Sequence, residues 1–330
     1  MRKVSIITPL FNRIDFIKEA WSSIKGQTYS NWEWIVVDDG STDGGDEYIK
    51  QTGALDVRVH IFYRTDGAKG PSRCRNIGVE KSSGEYLIFL DADDLLANFC
   101  IEKRINYIDN QGQLDFAVFK QELFKNEVGD LSEIFNKYGE NQDDYLSMFL
   151  RNENPWQTMA PIWKKESFLK LGGFNEELII MEDPELHTRA LLNELNFEVI
   201  KESKPDCFYR QNSFNKEKEE YFYELSIKGR IYFIQTIFEL FKKKNLNKSK
   251  YTNYLKNIRK AYINLLKGFL IARIKDFQEL FFDTLIRFKK EKIITSRDYF
   301  LIYLLGKAWL SENIVVKKLR IRGILIKLIF

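Results

Sequence analysis

The stretch that most constrains this chain is residues 84–94, Gly84-Glu85-Tyr86-Leu87-Ile88-Phe89-Leu90-Asp91-Ala92-Asp93-Asp94. Residues 86–90 form an unbroken apolar, β-prone run of strand length. It stops at three carboxylates, Asp91, Asp93 and Asp94. A strand apolar on both faces belongs in a parallel α/β sheet with helices on either side. Ligands of such sheets lie at the carboxyl ends of the strands. The run therefore delivers its acids to a ligand rim. Were the strand to continue, Asp91 and Asp93 would share a side and Asp94 would face the other way. Acids this close repel. A hard cation such as Mg²⁺ or Mn²⁺ relieves the repulsion, held by one or two carboxylates together with substrate phosphates. The plainer alternative is an acidic loop that caps the next helix.

The neighbouring segments alternate. Residues 4–9 predict a first strand stopped by Pro9. Ile17, Ala20, Trp21 and Ile24 recur at helical spacing, and Gly26 ends that helix. Residues 32–37 predict a second buried strand, 57–63 a third, and 71–81 a helix with Pro71 in its first turn. Strand–helix alternation implies βαβ units with right-handed crossovers. Further on, 114–124 reads as a strand, 143–150 as a helix, Gly172-Gly173-Phe174 as a turn and 183–195 as a helix. Late strands follow at 197–200 and 207–210. Beyond about Asn215 the turn signals thin out. Tyr251, Tyr254, Leu255, Ile258, Tyr262, Leu265 and Phe269 follow a helical period, and Thr295 with Asp298 makes a capping-box pattern. Residues 216–330 thus read as a helical appendage to an α/β domain over 1–215. Residues 314–330 are apolar and basic at once, and both helix and strand stay open there.

Charge divides the chain in the same way. Residues 1–210 hold 25 Lys and Arg against 36 Asp and Glu, whereas 211–330 hold 26 against 11. An acidic part joined to a basic part points to two tasks, and the basic part could face an anionic membrane or serve as a dimerisation module. It carries no recognised nucleic-acid motif, so nucleic acid is not expected as a partner. Three scattered cysteines, Cys74, Cys100 and Cys207, have no metal spacing and suit a reducing compartment. The apolar start at 4–11 is too short for a leader, and no apolar run is long enough to span a bilayer. The expectation is a cytoplasmic protein, peripheral on the inner face of the membrane.

Other constellations carry chemistry. The second strand ends in Asp38-Asp39-Gly40-Ser41, a turn composition that also brings a second acidic strand end to the rim. Lys69-Gly70-Pro71-Ser72-Arg73-Cys74-Arg75-Asn76 places cations near a helix start, where a diphosphate could meet them. Neither a Walker loop nor a dinucleotide glycine pattern occurs. Glu182 and Asp183 open a helix, where the dipole favours ionised carboxylates and a cleft would make one a general base. His60 and His187 are isolated and read as structural, against a zinc site.

Taken in order, these pieces resemble the family 2 glycosyltransferases of bacterial surface-polysaccharide synthesis. The matching segments are Ile7-Thr8-Pro9-Leu10-Phe11-Asn12, then Gln27-Thr28-Tyr29-Ser30-Asn31-Trp32-Glu33, then Val36-Val37-Asp38-Asp39-Gly40-Ser41-Thr42-Asp43. Arg75-Asn76-Ile77-Gly78, residues 84–94, Gly172-Gly173-Phe174 and Glu182-Asp183-Pro184-Glu185-Leu186 through to Arg189 follow. The resemblance implies a GT-A fold: a Rossmann-like, mixed but mostly parallel sheet flanked by helices, with an all-helical C-terminal appendage. It implies an inverting hexosyl- or hexosaminyltransferase that uses Mn²⁺ or Mg²⁺. The donor would be a nucleotide-sugar, a UDP-sugar first, and the acceptor a glycan or lipid-linked oligosaccharide. It implies that Pro9, Leu10, Phe11, Asn12, Asp39, Arg75, Asn76, Asp91, Ala92 and Asp93 bind the donor. Asp93, with Asp91 and Asp94, would hold the cation, and Asp183 beside Glu182 would deprotonate the acceptor. Phe11 stands where tyrosine is common, and Cys74 where alanine is common. Two other readings compete: a sugar-nucleotide nucleotidyltransferase, which should carry a Gly-rich first loop, and a membrane-docking scaffold of the same fold without activity.

Overall fold

The computed structural model describes residues 2–211, 216–244, 246, 248–271 and 278–310. The apolar, basic end over 314–330 lies outside the described residues. The chain divides into two compact units, Met1–Phe149 with Asn154–Ser226, and Leu150–Glu153 with Ile227–Phe330.

The first unit begins with β1 (Val4–Leu10), α1 (Ile14–Lys25), β2 (Trp32–Asp38), α2 (Gly45–Leu55), β3 (Val59–Tyr63), α3 (Pro71–Lys81) and β4 (Tyr86–Phe89). It continues through β5 (Leu95–Leu96), α4 (Cys100–Gln111), β6 (Phe116–Val118), β7 (Gln121–Phe124), β8 (Glu133–Ile134) and α5 (Gln142–Leu150). Then come β9 (Pro161–Lys164), α6 (Lys165–Leu171), α7 (Glu182–Leu192), β10 (Phe197–Val199), β11 (Cys207–Arg210) and the start of α8 (Lys216–Lys243). The main sheet has the order β10-β6-β9-β4-β1-β2-β3, and a second sheet has the order β5-β11-β7-β8. Strands β4, β1, β2 and β3 are parallel, and β9 runs antiparallel between β4 and β6. The fold is therefore the mixed, mostly parallel sheet that the family resemblance implies.

Two local expectations change. Pro9 does not stop β1, which runs on to Leu10 in the middle of the sheet. Leu10 O faces β2, where it accepts from Asp39 N, so by alternation Pro9 faces β4. The β4 ladder ends at Ile7–Phe89, so the missing Pro9 donor removes no rung. The run over 114–124 is two strands, not one: β6 lies in the main sheet and β7 in the second. Asn136 satisfies the break, its Oδ1 accepting from Gln121 N at 2.7 Å and its Nδ2 donating to Phe119 O at 3.1 Å.

The core lies on both faces of the main sheet. Trp34 on β2 is fully buried and stacks on Trp21 of α1 at 5.5 Å. His187 is enclosed by Phe149, Trp156 and Trp163, and burial pushes its pKa down to about 3. Gly78 lets α3 close on β1, since a Cβ there would stand 2.4 Å from Ile7 Cγ2.

The second unit contains the rest of α8 with α9 (Lys248–Ile271), α10 (Gln278–Lys290) and α11 (Ser296–Leu310). Tyr254, Ile258, Tyr262 and Leu265 form the buried stripe of α9. Thr295 caps α11, its Oγ1 accepting from Asp298 N while Asp298 Oδ2 accepts from Thr295 N. Among the described residues no helix is long and apolar enough to cross a membrane.

Candidate active site

The register sets three strand ends side by side. Leu10 pairs with Asp38 and Ile7 with Phe89, so the residues after β1, β2 and β4 emerge along one rim. A cavity of about 650 Å³ opens there. Pro9, Leu10 and Phe11 reach it from β1, Asp39 from the β2 end, and Asp91, Ala92 and Asp93 from the β4 end. Cys74 and Arg75 enter from α3, and Tyr221, Phe222 and Leu225 of α8 supply an aromatic and apolar wall. This size and mixture suit a small-molecule ligand.

Counter-charges surround the acids of this cavity. Arg64 Nε donates to Asp39 Oδ1, a charge-assisted bond to a nearly buried carboxylate. Lys69 lies over the Phe11 ring, 3.6 Å from its centroid. Arg13 Nε stands 3.5 Å from Asp93 Oδ2. Arg75 is only 3% exposed; its Nη2 donates to Asp91 Oδ1 at 2.6 Å and its Nη1 to Glu182 Oε1 at 3.1 Å. Burial works against the Arg75 charge, but Asp91, Glu182 and Asp183 overcome it and hold the pKa above the ordinary value.

A second cavity, of about 290 Å³, adjoins the first, and Arg75, Asp91 and Glu182 line both. Asp183 lines it, with Trp156, Gln157, Thr158 and Tyr209. Asp183 Oδ2 accepts from Thr158 N at 3.1 Å, while Oδ1 is buried without a hydrogen-bond partner. The expected helix-start effect does not win here. Burial, then the neighbouring Glu182 charge, raises Asp183 to about 8. Glu182 is raised too, by burial, with Arg75 opposing. Met181, just before them, holds φ at 76°, a left-handed conformation that is strained in a long side chain.

Three predicted site residues face elsewhere. Asn12 lines neither cavity; its Oδ1 accepts from Thr42 N and its own N–H donates to Ser41 Oγ, tying the β1 end to the turn after β2. Asn76 is also spent internally. Its Nδ2 donates to Phe174 O and Glu176 Oε1, and its Oδ1 accepts from Phe174 N, which fastens the Gly172–Gly173 turn. Asp94 is turned inward, accepts from Arg210 N at 2.8 Å and borders only the smaller cavity. Burial, then repulsion from Asp93 and Asp91, raises its pKa well above the usual carboxylate range. Asp38 serves the turn, accepting from Gly40 N and Ser41 N.

Asp91 and Asp93, two residues apart, both line the larger cavity. Two hard carboxylates facing one cavity fit a divalent cation that takes its other oxygens from a bound phosphate. Asp94 does not belong to that set. Among the described residues no three His, Cys, Asp or Glu side chains are grouped to hold a metal.

Several site residues give little sequence signal. Arg13 follows a matched motif but is not one of its expected ligands. Arg64 lies in an unremarked loop, Thr158 acts through its backbone, and Tyr221, Phe222 and Leu225 belong to a helix assigned to the appendage.

Residues 5–166 match the family described as glycosyl transferase family 2. An uncharacterized glycosyltransferase of Haemophilus influenzae is 42% identical over 108 residues, 33% of this chain and 43% of its own length. A GalNAc(5)-diNAcBac-PP-undecaprenol beta-1,3-glucosyltransferase of Campylobacter jejuni is 32% identical over 179 residues, 54% of this chain and 56% of that protein. The chain spans less than half the length of the curated relatives it matches first. Among solved structures, S. aureus TarS 1-349 in complex with UDP-GlcNAc matches with TM-score 0.65 at 18% identity, over 93% of this chain and 88% of that one. That likeness establishes the fold. Residues 5–166 of this chain are therefore a family 2 glycosyltransferase domain.

Proposed function

We propose that the chain moves a sugar from a nucleotide-sugar to a hydroxyl of a glycan or lipid-linked oligosaccharide. The observation that carries this reading is the pair of adjoining cavities. Paired donor-side acids face one, a high-pKa carboxylate faces the other, and Arg75, Asp91 and Glu182 line both. The larger cavity takes the donor. A UDP-sugar is the first choice, because TarS is known in complex with UDP-GlcNAc. Pro9 and Phe11 flank the base, Asp39 accepts from a base N–H in place of Arg64, and Asp91 meets the ribose. Asp93, with Asp91, would hold a Mn²⁺ or Mg²⁺ ion, which would supply positive charge to the leaving diphosphate.

The acceptor enters the smaller cavity, where Asn154, Gln157, Thr158 and Tyr209 offer uncharged polar groups suited to sugar hydroxyls. Asp183 Oδ1, lacking a protein partner, takes the hydroxyl proton as the acceptor oxygen attacks the anomeric carbon. The bond to the diphosphate oxygen breaks on the opposite face, so the configuration inverts. The proton ends on Asp183 and the electron pair on the diphosphate. Glu182, anchored by Arg75, keeps negative charge beside Asp183 and so raises its basicity.

Calorimetry with UDP, GDP and dTDP, with and without Mn²⁺, tests the donor assignment. UDP is expected to bind more tightly with Mn²⁺; binding of none of the three would overturn the reading. For the basic C-terminal region we propose contact with an anionic membrane surface, where each Lys or Arg contributes about 1 kcal/mol. Full-length protein should sediment with anionic liposomes and be released when 311–330 are deleted; equal sedimentation of both would refute the anchoring.

A further inference from the structure

We propose that Arg13 is an exchangeable counter-ion of Asp93. It neutralises that carboxylate before the donor arrives, then turns its charge onto the diphosphate when a divalent cation takes Asp93. The inference rests on the donor reading of the larger cavity.

Arg13 lines that cavity beside Asp93. Its backbone is fixed. Arg13 O accepts from Phe16 N and Ile17 N in the first turn of α1, and the next residue, Ile14, donates its N–H to Asp43 Oδ2. Its side chain is not fixed in the same way. It is 39% exposed, its Nε is 3.5 Å from Asp93 Oδ2, and its Nη1 donates to Asn12 O at 3.2 Å. An ion pair this long and this open to water is weak.

Among the described residues, two other cations line the cavity, and they are placed differently. Arg75 is buried and shared between Asp91 and Glu182. Lys69 lies over the Phe11 ring, 3.6 Å from its centroid. Among the described cavity cations, Arg13 is thus the one paired with Asp93 through a long, solvent-open contact. A guanidinium presents a fork of donors that matches phosphate oxygens. A diphosphate with one divalent cation still carries net negative charge, and Arg13 stands within a side-chain swing of it.

Exchange makes a specific thermodynamic prediction. A cation alone must displace Arg13 and gains nothing for it, so it binds weakly. A cation arriving with a nucleoside diphosphate displaces Arg13 onto a new anionic partner. The two ligands therefore bind with positive coupling, and Arg13 carries part of it.

The test compares the full-length wild type with Arg13→Gln and Arg13→Lys. Mn²⁺ binding without nucleotide is read by electron paramagnetic resonance, and UDP binding with and without Mn²⁺ by calorimetry. Arg13→Gln should bind Mn²⁺ alone severalfold more tightly than wild type, because its competitor is gone. It should bind UDP in Mn²⁺ about tenfold more weakly, and Arg13→Lys should recover most of that loss. Arg13→Gln that binds Mn²⁺ alone no more tightly, or Mn²⁺ with UDP as tightly as wild type, would overturn the exchange and leave the donor reading standing. Wild type that binds UDP equally with and without Mn²⁺ would remove the cation from the donor reading, and the exchange with it.

Discussion

The two ends of the main sheet each bury a carboxylate, and they treat it in opposite ways. At the amino end, Glu33 on β2 is a staple. It accepts from Ser5 Oγ at 2.6 Å, Ser83 N at 2.6 Å, Ser83 Oγ at 2.8 Å and Gly84 N at 3.2 Å, and pairs with Lys3 Nζ at 2.6 Å. Burial works against its charge, but bonds from Lys3, Ser5 and Ser83 prevail and lower its pKa to about 2. Beyond the carboxyl end, Asp183 has one backbone donor and an oxygen with none, and its pKa rises to about 8. The contrast teaches that burial alone does not decide what an acid does. The number of donors aimed at it separates a structural carboxylate from one still able to accept a proton.

Removing each carboxylate should separate activity from stability. Asp183→Asn is expected to lower turnover by about 10²–10⁴-fold, the range of a lost general base, while the UDP Kd stays within twofold. Turnover near the wild-type level would remove Asp183 as the base. Glu33→Ala should do the reverse. It leaves the Ser5 and Ser83 donors without their acceptor and costs about 1–3 kcal/mol, as an unsatisfied buried donor does. Denaturant melts should show this loss, with turnover per folded molecule unchanged; a parallel fall in turnover would mean that the amino end shapes the site.

pH sharpens the comparison. Only the ionised Asp183 can accept the proton, so kcat/KM should climb with pH and level off above an apparent pKa near 8. That value belongs to the Glu182–Asp183 pair together. A climb confined to the ordinary carboxylate range would contradict the assignment. The stability effects have opposite signs. Asp183 is raised on folding, so its contribution is present at low pH and lost as pH rises towards about 8. The Tm of Asp183→Asn relative to wild type should therefore be higher at pH 8 than at pH 5. Glu33 is lowered, so its contribution is present above the usual carboxylate range and lost as pH falls towards about 2. The penalty of Glu33→Ala should fade in acid.

The strand ends were legible because their signal is local. Residues 86–90 are apolar throughout, the acids follow at once, and parallel-sheet logic then places Asp39 and Asp93 on one rim. Long-range pairing was not legible. Nothing in residues 161–164 announces that β9 inserts antiparallel between β4 and β6, and the apolar run over 114–124 hides a break that distant Asn136 satisfies. Motif membership also does not say which way a side chain points. Asn12 and Asn76 belong to matched segments but fasten turns, and Asp94 faces inward to Arg210. Backbone donors such as Thr158 N leave no trace in residue identity.

The central claim is that the donor and the base occupy different, adjoining cavities. Crystals soaked with UDP and Mn²⁺, recorded at the manganese absorption edge, test it most directly. An anomalous peak is expected at Asp93 and the uracil beside Phe11 and Asp39, with Asp183 untouched. A peak or a nucleotide seated against Asp183 and Trp156 would contradict it.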